Sequence, residues 1–300
     1  MNGDELSDDR LLYLVGTTDK ELFDEGVPIG LRAFEVPARV MKRLGYISYV
    51  FADVGTPDVY NRIYSAFCSI YRPQDVALGG HIGVFMYRDV FARIGVPHIF
   101  GQVNINPFEF VDLTPVQLRI IQTEPDQMGI YLDQFSDVAD VQYGSAELRP
   151  PFSDGELVKR FVGLARLHLH SASAVLTGGY DFRGAVQSAL LATELALKAA
   201  AASIGLDEDQ IRRKFGHSAE DIVDFVAPRW SGFDADRVRR VVQAQPKYVV
   251  NRYASEQPGR RDVGHLVMGA QYIVAEVVRQ MSDRDFRREM RPPMSRTYPA

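Results

Sequence analysis

The sequence predicts a mixed α+β N-terminal domain followed by an all-α bundle of four to five helices. Three observations lead there. Charge divides unevenly: residues 1–150 hold 21 acidic and 12 basic side chains, a net of −9, whereas residues 151–300 net +4, leaving −5 for the chain. Pro150-Pro151 forms a stiff break. The texture changes at that point, from short β-branched and aromatic runs interspersed with Gly and Pro to long amphipathic stretches rich in Ala and Leu. The expected divisions are therefore 1–150, 151–283 and a loosely held basic tail over 284–300.

In the first division, LLYLV and ISYVFADV read as short strands, and VPHIFGQVNI as a further one. TPDVYNRIYSAFCSIYRP reads as a helix, with Thr56 as N-cap, Pro57 at its first position and Pro73 beyond its end. Tyr60, Ile63, Tyr64, Phe67 and Tyr71 form its expected buried stripe, with Cys68 a small buried hydrophobe beside them. PDQMGIYLDQFSDV reads as a second helix.

Beyond Pro151 the chain reads as almost entirely helical. Ser153 caps a helix over 153–177, ended by Gly178-Gly179, and a second runs over 181–204, ended by Gly205. A third covers 207–226 with an interruption at Gly216. The fourth starts near Asp234 and meets Pro246, and the last spans 261–281. The second helix is apolar over a broad face and rich in alanine, which requires several close helical neighbours.

Composition narrows the function classes. With 46% hydrophobic and 24% charged residues, whole-chain disorder, a collagen-like fibre and a mini-protein are excluded. The single cysteine, Cys68, rules out an intramolecular disulfide. No stretch has the apolar length of a membrane span, and MNGDELSDDR has neither a basic nor an apolar signal segment, so the expectation is a soluble cytoplasmic protein away from membranes. There is no phosphate-binding P-loop pattern and no G-x-G-x-x-G fingerprint. His168 and His170, two apart on a helix, point to different faces, so no zinc site and no cofactor is expected. GGHIG at 79–83 is either a tight turn or a loop closing on a ligand.

The run YDFRGAVQSALLATELALKAAAASIG, then KFGHSAEDIVDFV, then Arg252-Tyr253 and GHLVMGAQYIVAEVV, resembles the HEPN domain family over residues 153–281. The matching features are Glu194 and Lys198 in the central helix, the Gly216-His217 step, the aromatic-bearing segment and the final Ala-rich helix. The resemblance implies a helical bundle that often dimerises. It also implies either a metal-independent endoribonuclease, frequently in toxin–antitoxin or phage-defence systems, or a non-catalytic RNA- or nucleotide-binding module. Minimal nucleotidyltransferases often accompany the family, but Gly144-Ser145 lacks the Asp-x-Asp pair that they carry.

Ribonuclease members of the family carry an arginine and a histidine with four to six residues between them. A histidine can move the ribose 2′-OH proton, and an arginine can stabilise the charge developing on phosphorus. Arg260 and His265 have this spacing, and Arg212 and His217 have it too. In both, the arginine is followed by another, Arg261 or Arg213, where the family usually places a polar residue. Arg252, Tyr253 and Arg261 are the expected RNA contacts, since an aromatic beside a guanidinium can stack a base. The structural alternatives are a helix-entry cap for His217, a wet core tyrosine at 253, and a Glu194–Lys198 pair that orients His217. The expected partners are RNA or nucleotide, a second copy of the chain and an antitoxin-like protein. The alternative function is a helical dimerisation module carrying an N-terminal ligand- or partner-binding domain.

Overall fold

The computed structural model describes residues 7–46, 58–76, 80–96, 98, 103–149, 155–246, 257–290 and 295–299. The chain divides after Gly80, into Met1–Gly80 and His81–Ala300, rather than at 150.

The first unit is helical throughout its described residues. α1 spans Asp8–Asp24 and is capped by Ser7, whose side chain accepts from Arg10 N–H; α2 spans Ile29–Arg43, α3 Asp58–Ile70 and α4 Pro73–Val76. LLYLV therefore lies in a helix, not a strand. The deciding pattern is the longer one: Leu11, Val15, Thr18 and Leu22 step along one buried face at helical spacing. α3 is the helix expected from its periodicity, but its stripe is narrower. Val59, Ile63 and Phe67 are buried, Tyr64 is exposed, and Cys68 is only half-buried. The N-cap expected at Thr56 and the strand expected at ISYVFADV lie outside the described residues. A buried ion pair, Arg32 to Asp19 at 2.9 Å, ties α2 to α1, and the Tyr71 hydroxyl donates to the same carboxylate.

In the second unit, β1 (Ile82–Tyr87) and β2 (Val90–Gly95) form an antiparallel hairpin, registered from Ile82 opposite Gly95 to Tyr87 opposite Val90. The strand expected at VPHIFGQVNI is absent from its described residues, 96, 98 and 103–105; β2 ends just upstream of it. Then come α5 (Pro115–Thr123), closed by a Thr114/Gln117 capping box, α6 (Pro125–Gly144), α7 (Gly155–Gly178) and α8 (Arg183–Ser203). α9 (Glu208–Phe215), α10 (Ala219–Val226), α11 (Ala235–Ala244), α12 (Arg260–Met281) and α13 (Phe286–Glu289) complete it. The expected interruption falls at Gly216, which adopts φ +55°, and Gly205 follows α8 at φ +108°.

β1 is the reason that 150 is not a boundary. All six of its residues are buried, and the pleat sends them to two cores. Val84 and Met86 join the core of α7, α8 and α12, while Phe85 and Tyr87 join a second core with α6. Along its free edge, Val84 N–H donates to Gln271 Oε1 at 2.7 Å, and Gln271 Nε2 donates to Val84 O at 3.0 Å. A buried glutamine of α12 thus stands in for a neighbouring strand. Gly83 permits the close approach of α6, because a Cβ there would lie 2.1 Å from Val138 Cγ2. Pro150-Pro151, between α6 and α7 in sequence, lies outside the described residues.

α6 carries three fully buried carboxylates, Asp133, Asp137 and Asp140. Arg279 of α12 reaches both Asp137 and Asp140 at 2.8 Å and Glu276 at 3.0 Å. Arg287 of α13 lies 2.9 Å from Asp133. The expected loose tail is in fact held here over its described residues. Arg296 donates to both oxygens of Asp137 at 2.6 and 2.9 Å, and Asp133 Oδ2 accepts from Thr297 N–H, Thr297 Oγ1 and Tyr298 N–H at 2.7 to 2.9 Å.

Arg279→Ala should destabilise the second unit by about 3–5 kcal/mol in urea unfolding, because two buried carboxylates lose their shared cation. Residues 81–300 should melt cooperatively, whereas 151–283, stripped of β1 and α6, should not. A cooperative melt of 151–283 would restore the boundary at 150.

Candidate functional site

The head of α12 and the turn of the hairpin face a cleft of about 890 Å³, lined by Arg88, Asp89, Arg260, Arg261, His265 and Tyr298 among others. Gly264 brings these elements together: a Cβ there would lie 2.3 Å from Met86 Sδ and 3.0 Å from the Phe91 ring. Arg260 opens α12, and its Nε and Nη2 donate to Asp89 O at 3.0 and 2.7 Å. Its guanidinium lies against the Phe91 and Phe182 rings, 4.9 and 5.0 Å from their centroids. Arg260 is therefore held in place before any ligand arrives.

Arg88 sits at φ +58° in the two-residue turn Arg88-Asp89, a conformation that hairpin turns usually assign to Gly or Asn. Non-glycine residues held in this region concentrate at functional sites. Its side chain is exposed, with the guanidinium 5.1 Å from the Tyr87 ring centroid. Three arginines and a histidine against Asp89 and Asp262 leave the lining of this cleft net positive.

His265 is tied to the C-terminal tail. The Tyr298 ring stacks on its imidazole, with centroids 6.0 Å apart and planes 18° from parallel. The Tyr298 hydroxyl lies 3.2 Å from His265 Nδ1 and 3.2 Å from His265 O. Burial raises the Tyr298 phenol's pKa, so it stays protonated at neutral pH. A backbone carbonyl only accepts, so the single hydroxyl proton goes to His265 O. The hydroxyl oxygen must then accept from Nδ1–H, which leaves the lone pair of neutral His265 on Nε2. Partial burial, then the neighbouring Arg261 charge, lowers the pKa of His265, and Asp262 works weakly against them. The imidazole is thus kept available as a base.

The second candidate pair lines a separate cleft of about 1030 Å³. There His217 Nδ1 lies 3.0 Å from Glu194 Oε1, which also accepts from Lys198 Nζ at 2.6 Å. The Glu194–Lys198 pair does orient His217. His217 itself is exposed and caps nothing; the N-cap of α10 is Ser218, whose side chain accepts from Asp221 N–H at 3.3 Å. Arg212 bonds Asp209 at 2.7 Å and Arg160 bonds Glu208 at 2.5 Å, so the basic groups of this cleft are matched by its acids. Arg252 and Tyr253 lie outside the described residues.

Sequence reasoning missed Arg88, Asp89 and Tyr298. The dipeptide Arg88-Asp89 between two apolar runs was a turn signal, though it lacks the usual Asn or Gly. Nothing local marked Tyr298. Among the described residues, no group of three or more His, Cys, Asp or Glu side chains could hold a metal, and no helix is long and apolar enough to cross a membrane. No family model, curated protein or solved structure matches the chain.

Nitrogen NMR of the imidazoles should show neutral His265 with its proton on Nδ1. In Tyr298→Phe, the usual Nε2–H form should gain ground. An Nε2–H tautomer in the wild type would contradict the hydrogen-bond assignment.

Proposed function

We propose that the chain is an HEPN-like RNA-binding protein whose cleft at the head of α12 cleaves RNA without a metal. The observation that carries this reading is the convergence of Arg88, Arg260, Arg261 and His265, from two distant segments, on one net-positive cleft. In this mechanism His265 Nε2 takes the proton of a ribose 2′-OH, and that oxygen attacks the adjacent phosphorus. A 2′,3′-cyclic phosphate forms as the bond from phosphorus to the 5′-oxygen breaks; that oxygen takes a proton from water, and the hydroxide left behind returns the His265 imidazolium to its neutral form. Arg260, oriented by Asp89 O and the two phenylalanines, stabilises the charge on the phosphoryl oxygens, and Arg88 and Arg261 add contacts to the backbone. Pairing of two chains would bring two such half-sites together, and an antitoxin-like protein covering the cleft would silence them.

The second reading, a non-catalytic dimerisation module, draws on Leu164 and Leu167, which α7 leaves 39% and 64% exposed.

Incubation of the purified chain with mixed RNA in EDTA should yield cyclic or 3′-phosphate ends and leave DNA intact. His265→Ala should slow cleavage by about 10²–10⁴, the usual worth of a positioned base. Arg260→Lys should rescue Arg260→Ala poorly, since an ammonium cannot fork onto two oxygens. If His217→Ala abolishes cleavage and His265→Ala does not, the site moves to the Arg212 cleft. No cleavage, together with absent or salt-insensitive RNA binding, leaves the assembly module.

A further inference from the structure

At the opposite end of β1, about 20 Å from Arg88 at the strand's rise per residue, lies a second basic cluster that the cleft does not use. It joins two motifs that look unrelated in sequence: His81 of GGHIG, and Arg166 and His170 of ARLHLH on α7. His81 is 1% exposed, yet among the described residues neither ring nitrogen has a hydrogen-bond partner. His170 stands beside it, with ring centroids 5.8 Å apart and planes 47° apart. The Ile82 N–H points to His170 Nδ1 at 3.4 Å, so the imidazole proton resides on Nε2 as a donor. Arg166 is half-buried and donates through Nη2 to Gln142 Oε1 at 3.0 Å. The same oxygen accepts from His81 N–H at 2.8 Å, and the Gln142 amide nitrogen reaches the His98 ring at 3.2 Å.

Among the described residues, no carboxylate pairs with Arg166, His81, His98 or His170. Arg93, whose charge also acts on His170, has its nearest acid, Asp112, 4.0 Å away. The more deeply buried arginines Arg32, Arg279 and Arg296 all face carboxylates, and half-buried Arg166 pairs with none among the described residues. Buried cations are paired, and buried polar atoms are bonded, because either left alone forfeits its hydration. Burial accordingly lowers the pKa of Arg166 and of His170, and takes His81 down to about 3, with Arg166 and then His170 adding to the effect.

We propose that this cluster is a binding site for a phosphate-sized oxyanion. A tetrahedral oxyanion offers acceptors in several directions. One edge receives the Arg166 fork, and other oxygens receive His170 Nε2–H and a ring N–H of His81, satisfying the orphaned imidazole. Gln142 orients the guanidinium, as its oxygen accepts from Arg166 and from the His81 backbone together. His81 is almost wholly buried, which favours a small anion, and free inorganic phosphate is the ligand we assign to the site. This site is independent of the RNA cleft.

The test uses the full chain, with sodium phosphate against sodium chloride at matched ionic strength. Phosphate should raise Tm saturably and move the imidazole signals of His81 and His170 in the wild type. Arg166→Gln and His81→Gln should each weaken phosphate binding by about tenfold or more, and Arg166→Lys should keep part of it. A nucleoside 5′-monophosphate serves as the second probe. Tighter binding of that probe, with the same dependence on Arg166, supports the phosphoryl site and names a phosphomonoester as its source. Unmoved imidazole signals in the wild type, a Tm response equal to that of chloride, or binding that survives both Arg166→Gln and His81→Gln would overturn the proposal.

Discussion

Three aspartates on one face of α6 meet arginines that arrive from α12, α13 and the C-terminal tail. Asp133, Asp137 and Asp140 fall at i, i+4 and i+7, so a single helical stripe presents all three. Four acids, with Glu276, face Arg279, Arg287 and Arg296. Burial lifts the Asp140 carboxyl to about 7 against the pull of Arg279, so the group titrates near physiological pH. Removing such charges from water is expensive, and what offsets it is the filling of the carboxylate lone pairs: Asp133 Oδ2 alone takes three donors. An apolar core of the same volume could be as stable. The ionic network adds register, because each arginine meets its carboxylate in one alignment of the segments only.

That register reaches the candidate site. The tail is fastened at Arg296 and Thr297, so Tyr298 lands on His265, and its hydroxyl sets which imidazole nitrogen carries the proton. On the other side of α12, Gln271 binds the edge of β1 while Gly264 admits Met86. The hairpin turn with Arg88 is thereby carried to the first turn of α12. The cleft is a product of these three attachments more than of any one segment. Arg260 shows the same economy of means, since the contacts that orient it, Asp89 O and Phe91, belong to the hairpin it holds.

Much of the helical half was legible in its residues. The helix starts near 207 and 234, the stops at Gly205 and Gly216, and the apolar faces of α7, α8 and α12 are local properties, written within a few turns of chain. The two candidate Arg–His pairs were visible as spacing, and the Glu194 contact to His217 was one of two readings that the sequence left open for the Glu194–Lys198 pair. LLYLV was misread because a five-residue window cannot distinguish a β-rich run from one face of a seventeen-residue helix.

What the chain alone determined is therefore the helices of its second half, their stops and the residues able to do acid–base and phosphate chemistry. Tertiary structure decided the rest: that β1 belongs to the bundle, that the tail is held, that Arg260 and His265 share a net-positive cleft while Arg212 and His217 sit among matching acids, and that His81 meets Arg166. The physical reason is range. Periodicity and capping act across a few residues, whereas Val84–Gln271, Asp137–Arg296 and Asp89–Arg260 join groups far apart in sequence through single hydrogen bonds and ion pairs. Such pairs follow no repeat, so no local pattern announces them before the chain folds.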